Sequence, residues 1–243
     1  MGLDPARGGR QPKYGSAALW PSMANKLRQI THPGRKIFLI GPNRCATTTF
    51  HNFFYSQGLK SIHWRKGEVI LAKEIDKRLG DDRALRKFLS GWTVFSDFVY
   101  LTDEVFIENH TLYETYQRLF PEAYFILNDR DVDRWVASRL LHRDGGFLKR
   151  YLNVHGGTED EAKAAWKTGF LAHREAVLKH FKDHPRFLHF HIDKGDRSAF
   201  IEPGDVDSLV ALLAPDYQLS AEFWTSRNTD RRPKVDAPAA AEA

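Results

Sequence analysis

Residues 36–50 read KIFLIGPNRCATTTF, and this stretch constrains the whole chain. The short, continuous apolar run from Arg35 to Ile40 predicts a strand buried on both faces. The loop after it carries no bulky apolar residue. From Thr47 the spacing of Phe50, Phe53, Phe54 and Leu59 predicts a helix with one apolar face, stopped at Gly58. A strand, a tight loop and a helix offer unpaired backbone N–H groups and the positive end of a helix dipole to one anion. Thr47, Thr48 and Thr49 add hydroxyl donors there, and Arg44 adds a fixed positive charge.

Further strand-then-helix units follow. Strands are predicted over Lys60–Trp64, Thr93–Val99, Ala123–Asn128 and Arg186–Ile192. Helices are predicted over Gly67–Leu79, Thr111–Leu119, Val132–Leu141, Glu159–Phe181 and Val206–Leu213. Alternation of this kind implies an α/β fold, a parallel sheet flanked by helices. Right-handed crossovers put the loops after the strands on one edge, where ligands bind in open sheets. Arg44, His63, Asp97 and Arg130 each end or follow a strand, so they are expected to converge. The core domain is placed at residues 35–232. Residues 1–34 are expected to be a flexible segment in which Leu19, Trp20, Met23 and Leu27 form a short amphipathic piece docked on the domain. Residues 233–243, rich in Pro and Ala, are expected to be a disordered tail.

Composition narrows the function. An apolar fraction of 42% supports a substantial core. A formal charge of +5 favours anionic ligands. The basic residues are interspersed with acids, so nucleic acid is not the expected partner. Cys45 is the only cysteine, which excludes an internal disulfide. There is no apolar run long enough for a membrane span and no basic-then-apolar leader pattern, so a cytoplasmic location is expected.

Alignment with the glycine-rich phosphate loop G-x-x-x-x-G-K-[ST] sets Gly41 as the first glycine. Ala46 then stands at the second glycine, Thr47 at the lysine and Thr48 at the final hydroxyl position. The lysine that meets the β/γ-phosphates is missing, which argues against an ordinary ATP or GTP hydrolase. The positive charge sits three positions earlier, at Arg44.

Asn43-Arg44-Cys45-Ala46-Thr47-Thr48 resembles the 5′-phosphosulfate loop of the sulfotransferases, P-[KR]-x-G-T-T. Gly41 to Thr49 is similar to the G-x-N-K-T-G-T-T-S form of some members. A second stretch, Phe120 to Ser138, resembles the family's 3′-phosphate segment, in which a strand ends in Arg and a Ser lies eight residues on. Arg130 and Ser138 are the matching residues. The resemblance spans residues 35–141, with a looser match at 186–213. It implies a sulfotransferase fold of the P-loop nucleoside-triphosphate-hydrolase type. The implied reaction transfers a sulfuryl group from 3′-phosphoadenosine 5′-phosphosulfate to a hydroxyl or amine of a small-molecule or carbohydrate acceptor, and it needs no metal. Asn43, Arg44, Cys45, Ala46, Thr47, Thr48 and Thr49 would hold the 5′-phosphosulfate; Arg130 and Ser138 would hold the 3′-phosphate. Arg44 stands where lysine is usual and Ala46 where glycine is usual. No segment matches the C-terminal basic-glycine segment of the steroid and phenol enzymes.

The transfer also needs a base for the acceptor proton. His63 and Asp97 rank equally, Glu68 third, and His51 is a further candidate. Competing readings are an atypical P-loop phosphoryl-transfer enzyme and a non-catalytic nucleotide-binding module. A plainer role for Arg130 is pairing with Asp129, Asp131 or Asp133, and Cys45 is expected to be a small filler rather than a nucleophile.

Overall fold

The computed structural model describes residues 19–193 and 203–225. The expected tail at 233–243 and residues 1–18 of the N-terminal segment lie outside the described residues. Nine helices and nine strands are found among those described. Five strands form one parallel sheet: β1 (Ile37–Leu39), β2 (Ser61–His63), β5 (Val94–Ser96), β8 (Tyr124–Asp129) and β9 (Phe187–His191), in the order β2-β5-β1-β8-β9. The registers are parallel throughout, with Phe38 opposite both Phe95 and Phe125. The chain is therefore α/β, a five-stranded parallel sheet flanked by helices.

Burial on both faces explains why β1 reads as a continuous apolar run. Ile37 and Leu39 point to one side, into a core formed with α2 (Thr47–Ser56) and α9 (Pro203–Leu213) through Phe50, Phe53, Leu209 and Leu213. Phe38 and Ile40 point to the other side. There they meet α3 (Leu71–Asp76), α4 (Asp82–Leu89), α5 (Tyr113–Leu119) and the C-terminal part of α8 (Glu159–His180), through Ile75, Leu89, Tyr116 and Val177. Phe38 stacks between Phe95 and Tyr116 at centroid distances of 4.8 and 4.7 Å. The helix after β1 covers one face, and α8, which follows β8, helps cover the other. These two neighbouring strands flank the point where the topology switches, the usual place for a ligand crevice.

A third apolar cluster caps this edge. It joins Cys45, Val99, Trp135, Phe147, Trp166 and Phe170. They come from the loop after β1, from β6 (Val99–Leu101), α6 (Val132–Leu140), α7 (Gly146–His155) and α8. Strand β6 pairs in antiparallel fashion with β7 (Phe106–Glu108). At its centre the Arg139 guanidinium, fully buried, lies 4.5–4.9 Å from the rings of Phe147, Trp135 and Trp166 and pairs with Glu108.

Three expectations need correction. The helix expected over Gly67–Leu79 is instead a hairpin, β3 (Arg65–Lys66) and β4 (Val69–Ile70), followed by α3. Gly67 turns this hairpin with φ 58°, and the β-branched pair Val69-Ile70 suits a strand. The strand expected over Thr93–Val99 breaks at Asp97, whose φ of 60° no strand accommodates, so Val99 belongs to β6. Within residues 1–34, α1 (Leu19–Thr31) docks through Asn25 and Gln29 and not through Met23 and Leu27, while the side chains of Leu19 and Trp20 lie outside those described. Asn25 bonds Gln57 O at 2.9 Å and Gln218 O at 2.8 Å, and Gln29 bonds Gly58 O at 3.0 Å. Met23 and Leu27 are 63% and 62% exposed. None of the described helices is long and apolar enough to cross a membrane.

Candidate functional site

The loop after β1 is held open by a single asparagine. Asn128, fully buried on β8, accepts from Gly41 N at 2.9 Å and donates to Cys45 O at 2.8 Å. The two ends of the loop are thereby tied to the neighbouring strand. Position 41 requires glycine, because a Cβ there would lie 1.9 Å from Asn128 O. Within the loop, Arg44 (φ 69°) and Ala46 (φ 57°) adopt left-handed backbone. Such residues turn successive N–H groups toward one point, the geometry of an anion-binding nest. Ala46 thus holds, at a strain cost, a backbone conformation that glycine adopts freely.

The first N–H groups of α2 have no acceptor within the helix. Thr49 is the exception among those assigned to the cradle: its amide donates to Ala46 O at 2.9 Å, which withdraws it from an anion. Thr47 and Thr49 are buried, and Thr48 is half-buried.

The second segment folds directly onto the loop. Arg44 Nε donates to Ser138 Oγ on α6 at 3.1 Å. Arg130 Nη1 donates to Arg44 O at 3.1 Å. Trp135 Nε1 donates to Asn43 O at 2.8 Å. Asn43, Arg44, Arg130 and Ser138, named from two separate stretches of sequence, therefore meet at one place. Asn128 and Trp135 are the supporting residues that sequence reasoning missed.

Arg130 pairs with none of Asp129, Asp131 or Asp133 through its side chain. Its partner is Asp193, just past β9, at 3.3 Å. Asp193 also lies 3.7 Å from Arg134. One carboxylate thus faces two guanidiniums. Asp129 is occupied elsewhere, by Arg174 and His189 at 2.8 Å each, and these contacts hold its carboxyl below the usual range against the opposing effect of burial.

On the other side of the loop stand the candidates for the base. His63 Nε2 lies 3.2 Å from Thr47 Oγ1, 3.4 Å from Thr48 Oγ1 and 3.3 Å from Asp97 Oδ2. One ring nitrogen carries either a proton or a lone pair, so it serves one of these three at a time. Burial pushes the His63 imidazole down to about 4. Burial pushes the Asp97 carboxyl up to about 6, against the opposing pull of Arg44, Arg143 and Arg139. Asp97 Oδ1 is buried with no hydrogen-bond partner. His51 bonds Ser61 Oγ at 2.7 Å, with its ring centre 5.6 Å from that of His63, and burial lowers it to about 4. Glu68 does not join the group: it sits on the β3–β4 turn, 99% exposed and paired with Arg65. Cys45 is fully buried, and burial pushes its thiol up, so no thiolate nucleophile is present at neutral pH.

Backbone strain marks the same edge. Among the described residues, the six non-glycine positions with positive φ are Arg44, Ala46, Trp64, Asp97, Arg143 and Asp144. The first four follow β1, β2 and β5; the last two form the turn after α6. Strain of this kind costs of order 1–3 kcal/mol per residue and concentrates at functional sites.

The arrangement provides a nest of N–H groups, hydroxyls and guanidiniums for an anion, with an ionisable, under-bonded carboxylate beside it. No protein-family model matches the chain, and no curated protein matches it.

Proposed function

We propose that this chain is a cytoplasmic sulfotransferase with a P-loop-type sheet. It moves a sulfuryl group from 3′-phosphoadenosine 5′-phosphosulfate to a hydroxyl or amine of a small-molecule or carbohydrate acceptor. The observation that carries this reading is the 3.1 Å contact between Arg44 and Ser138. It joins the two stretches that resemble the family's 5′- and 3′-phosphate segments.

The residues fit the donor. The loop amides, Arg44 and the hydroxyls of Thr47 and Thr48 surround the place of the 5′-phosphosulfate. Arg130 and Ser138 lie beside the loop on the side given to the 3′-phosphate. In the transfer, an acceptor oxygen attacks sulfur in line with the bridging oxygen. The new S–O bond forms as the old one breaks, and the electron pair stays on the departing phosphate. Charge grows on that bridging oxygen, so fixed donors stabilise the transition state more than the ground state. Arg44 supplies permanent charge and cannot act as an acid at neutral pH.

The acceptor proton goes to Asp97. With a pKa of about 6 its carboxylate is ionised at pH 7 yet close enough to that pH for useful basicity. Its side chain is 17% exposed, beside the loop that carries Thr47 and Thr48. His63, held down to about 4, is a weak base there and instead positions one of Thr47, Thr48 and Asp97 at a time.

Incubation with ³⁵S-labelled donor and a panel of hydroxyl and amine acceptors tests this directly. Labelled product is expected, and Arg44→Ala is expected to lower the rate at least roughly a hundredfold while the protein still melts cooperatively. Transfer from ATP with magnesium, but not from the labelled donor, would favour the phosphoryl-transfer reading. Tight nucleotide binding with no transfer to any acceptor would favour a binding module.

A further inference from the structure

We infer that Trp64 and Arg143 form the wall that recognises the acceptor, and that this acceptor carries an anionic group near its reacting hydroxyl; the inference rests on the sulfotransferase reading above.

Trp64 follows His63 directly and donates from its backbone N to Ser96 O at 3.1 Å. It therefore stands beside Asp97, the residue assigned to the acceptor proton. Its φ is 53°, so the chain leaves β2 in a conformation that a large side chain adopts only when its surroundings hold it. Arg143 comes from the opposite direction, in the turn between α6 and α7. Arg143, Asp144 and Gly145 form a run of three left-handed residues, at φ 56°, 54° and 81°. This turn sets the Arg143 guanidinium 5.2 Å from the centre of the Trp64 ring. Two strained segments thus meet in one cation–aromatic pair, next to the base.

A guanidinium that meets an aromatic ring still has N–H donors to offer another partner. The charges nearby say what that partner is. Arg44 is assigned to the donor, and Arg139 is buried against Glu108. Arg143 is exposed and places its charge on the acceptor side. Arg44, Arg143 and Arg139 all act on Asp97 and on His142, and burial together with these charges holds the His142 imidazole down to about 4. A carboxylate, sulfate or phosphate on the acceptor complements the Arg143 guanidinium. The half-buried Trp64 ring supplies an apolar wall against the acceptor's own ring.

Steady-state transfer to paired acceptors tests the inference. Each pair is one hydroxylated phenyl or sugar compound, as its carboxylate and as its methyl ester. The carboxylates are expected to have the lower KM. Arg143→Ala is expected to raise KM for the carboxylate roughly tenfold, as for loss of a charge-assisted hydrogen bond. The ester's KM should move far less, and Arg143→Lys should recover part of the loss. Equal shifts for both members of a pair, no shift in either, or a preference for the esters would overturn the inference. Binding of 3′-phosphoadenosine 5′-phosphate to the same variant is measured alongside. If the donor product binds and acceptors are turned over without charge preference, the acceptor inference alone falls. If the donor product does not bind to the unaltered chain, the sulfotransferase reading falls with it.

Discussion

The guanidinium of Arg130 donates to the backbone carbonyl of Arg44 at 3.1 Å, across 86 residues of sequence. The arginine that ends β8 therefore braces the loop that ends β1. With Trp135 on Asn43 O and Ser138 on Arg44 Nε, the β8–α6 unit grips the loop from one side. The shape of the loop is consequently set by residues far away in the chain, and changes there should be felt at the proposed anion nest.

Asn128 is the most sensitive of these. Asn128→Ala leaves Gly41 N and Cys45 O without their present partners in a fully buried setting. An orphaned buried group costs about 1–3 kcal/mol, so a loss of about 2–4 kcal/mol is expected. Urea denaturation measures it, and nucleotide affinity should fall at least tenfold. A loss under about 0.5 kcal/mol would show that the loop keeps its shape without the clamp.

Ala46 makes the opposite prediction. A left-handed backbone costs a non-glycine residue about 1–2 kcal/mol, and glycine relieves that. The extra freedom of glycine in the unfolded chain offsets about 0.4–1 kcal/mol of the relief. Ala46→Gly is therefore expected to leave stability unchanged or raise it by up to about 1.5 kcal/mol. Ala46→Val should lower it, since β-branching makes positive φ worse. A loss of more than about 1 kcal/mol in the glycine variant would contradict the left-handed assignment.

Protonation gives two linked expectations. Asp97 is raised to about 6, so the native state binds its proton more tightly than the unfolded chain, and its contribution to stability falls as pH rises from about 4 to 6. His51, His63 and His142 are lowered to about 4, so their contributions rise with pH over about 4 to 6.5. Three such groups oppose one, and the urea midpoint should drop on acidification from pH 6.5 to 4. Activity should follow the ionisation of Asp97, rising through an apparent pKa near 6. Asp97→Asn should cut kcat about 10²–10⁴-fold, whereas His63→Gln should cost far less. Activity that instead tracks His63, and survives Asp97→Asn, would reverse the two roles.

Much of this was legible in the sequence where the signal is local. The continuous apolar runs at residues 37–39 and 124–127 marked two neighbouring strands of the parallel sheet. Local periodicity failed at residues 67–79. The spacing of Val69, Ile70, Ala72 and Ile75 fits one helix, yet the first two residues pair with Arg65 and Lys66 across a turn at Gly67. Helix α4 was missed although Asp81 caps it by accepting from Ala84 N and Leu85 and Leu89 share its buried face. Asn128, Trp135 and Asp193 carried no local signal, because each acts on a partner tens of residues away. Asp129, Asp131 and Asp133 were the nearest acids to Arg130 in sequence, but the strand β9 brings Asp193 closer in space.

The central claim is that the nest after β1 and the brace after β8 together bind a nucleotide carrying phosphates at both the 3′ and 5′ positions. Calorimetric titration of the full chain with 3′-phosphoadenosine 5′-phosphate and with ATP, both without metal, tests it most directly. Binding of the bisphosphate at least a hundredfold tighter than ATP, weakened by Arg130→Ala and by Ser138→Ala, is the predicted result. Equal affinity for the two nucleotides, or a preference for ATP that appears with magnesium, would contradict it.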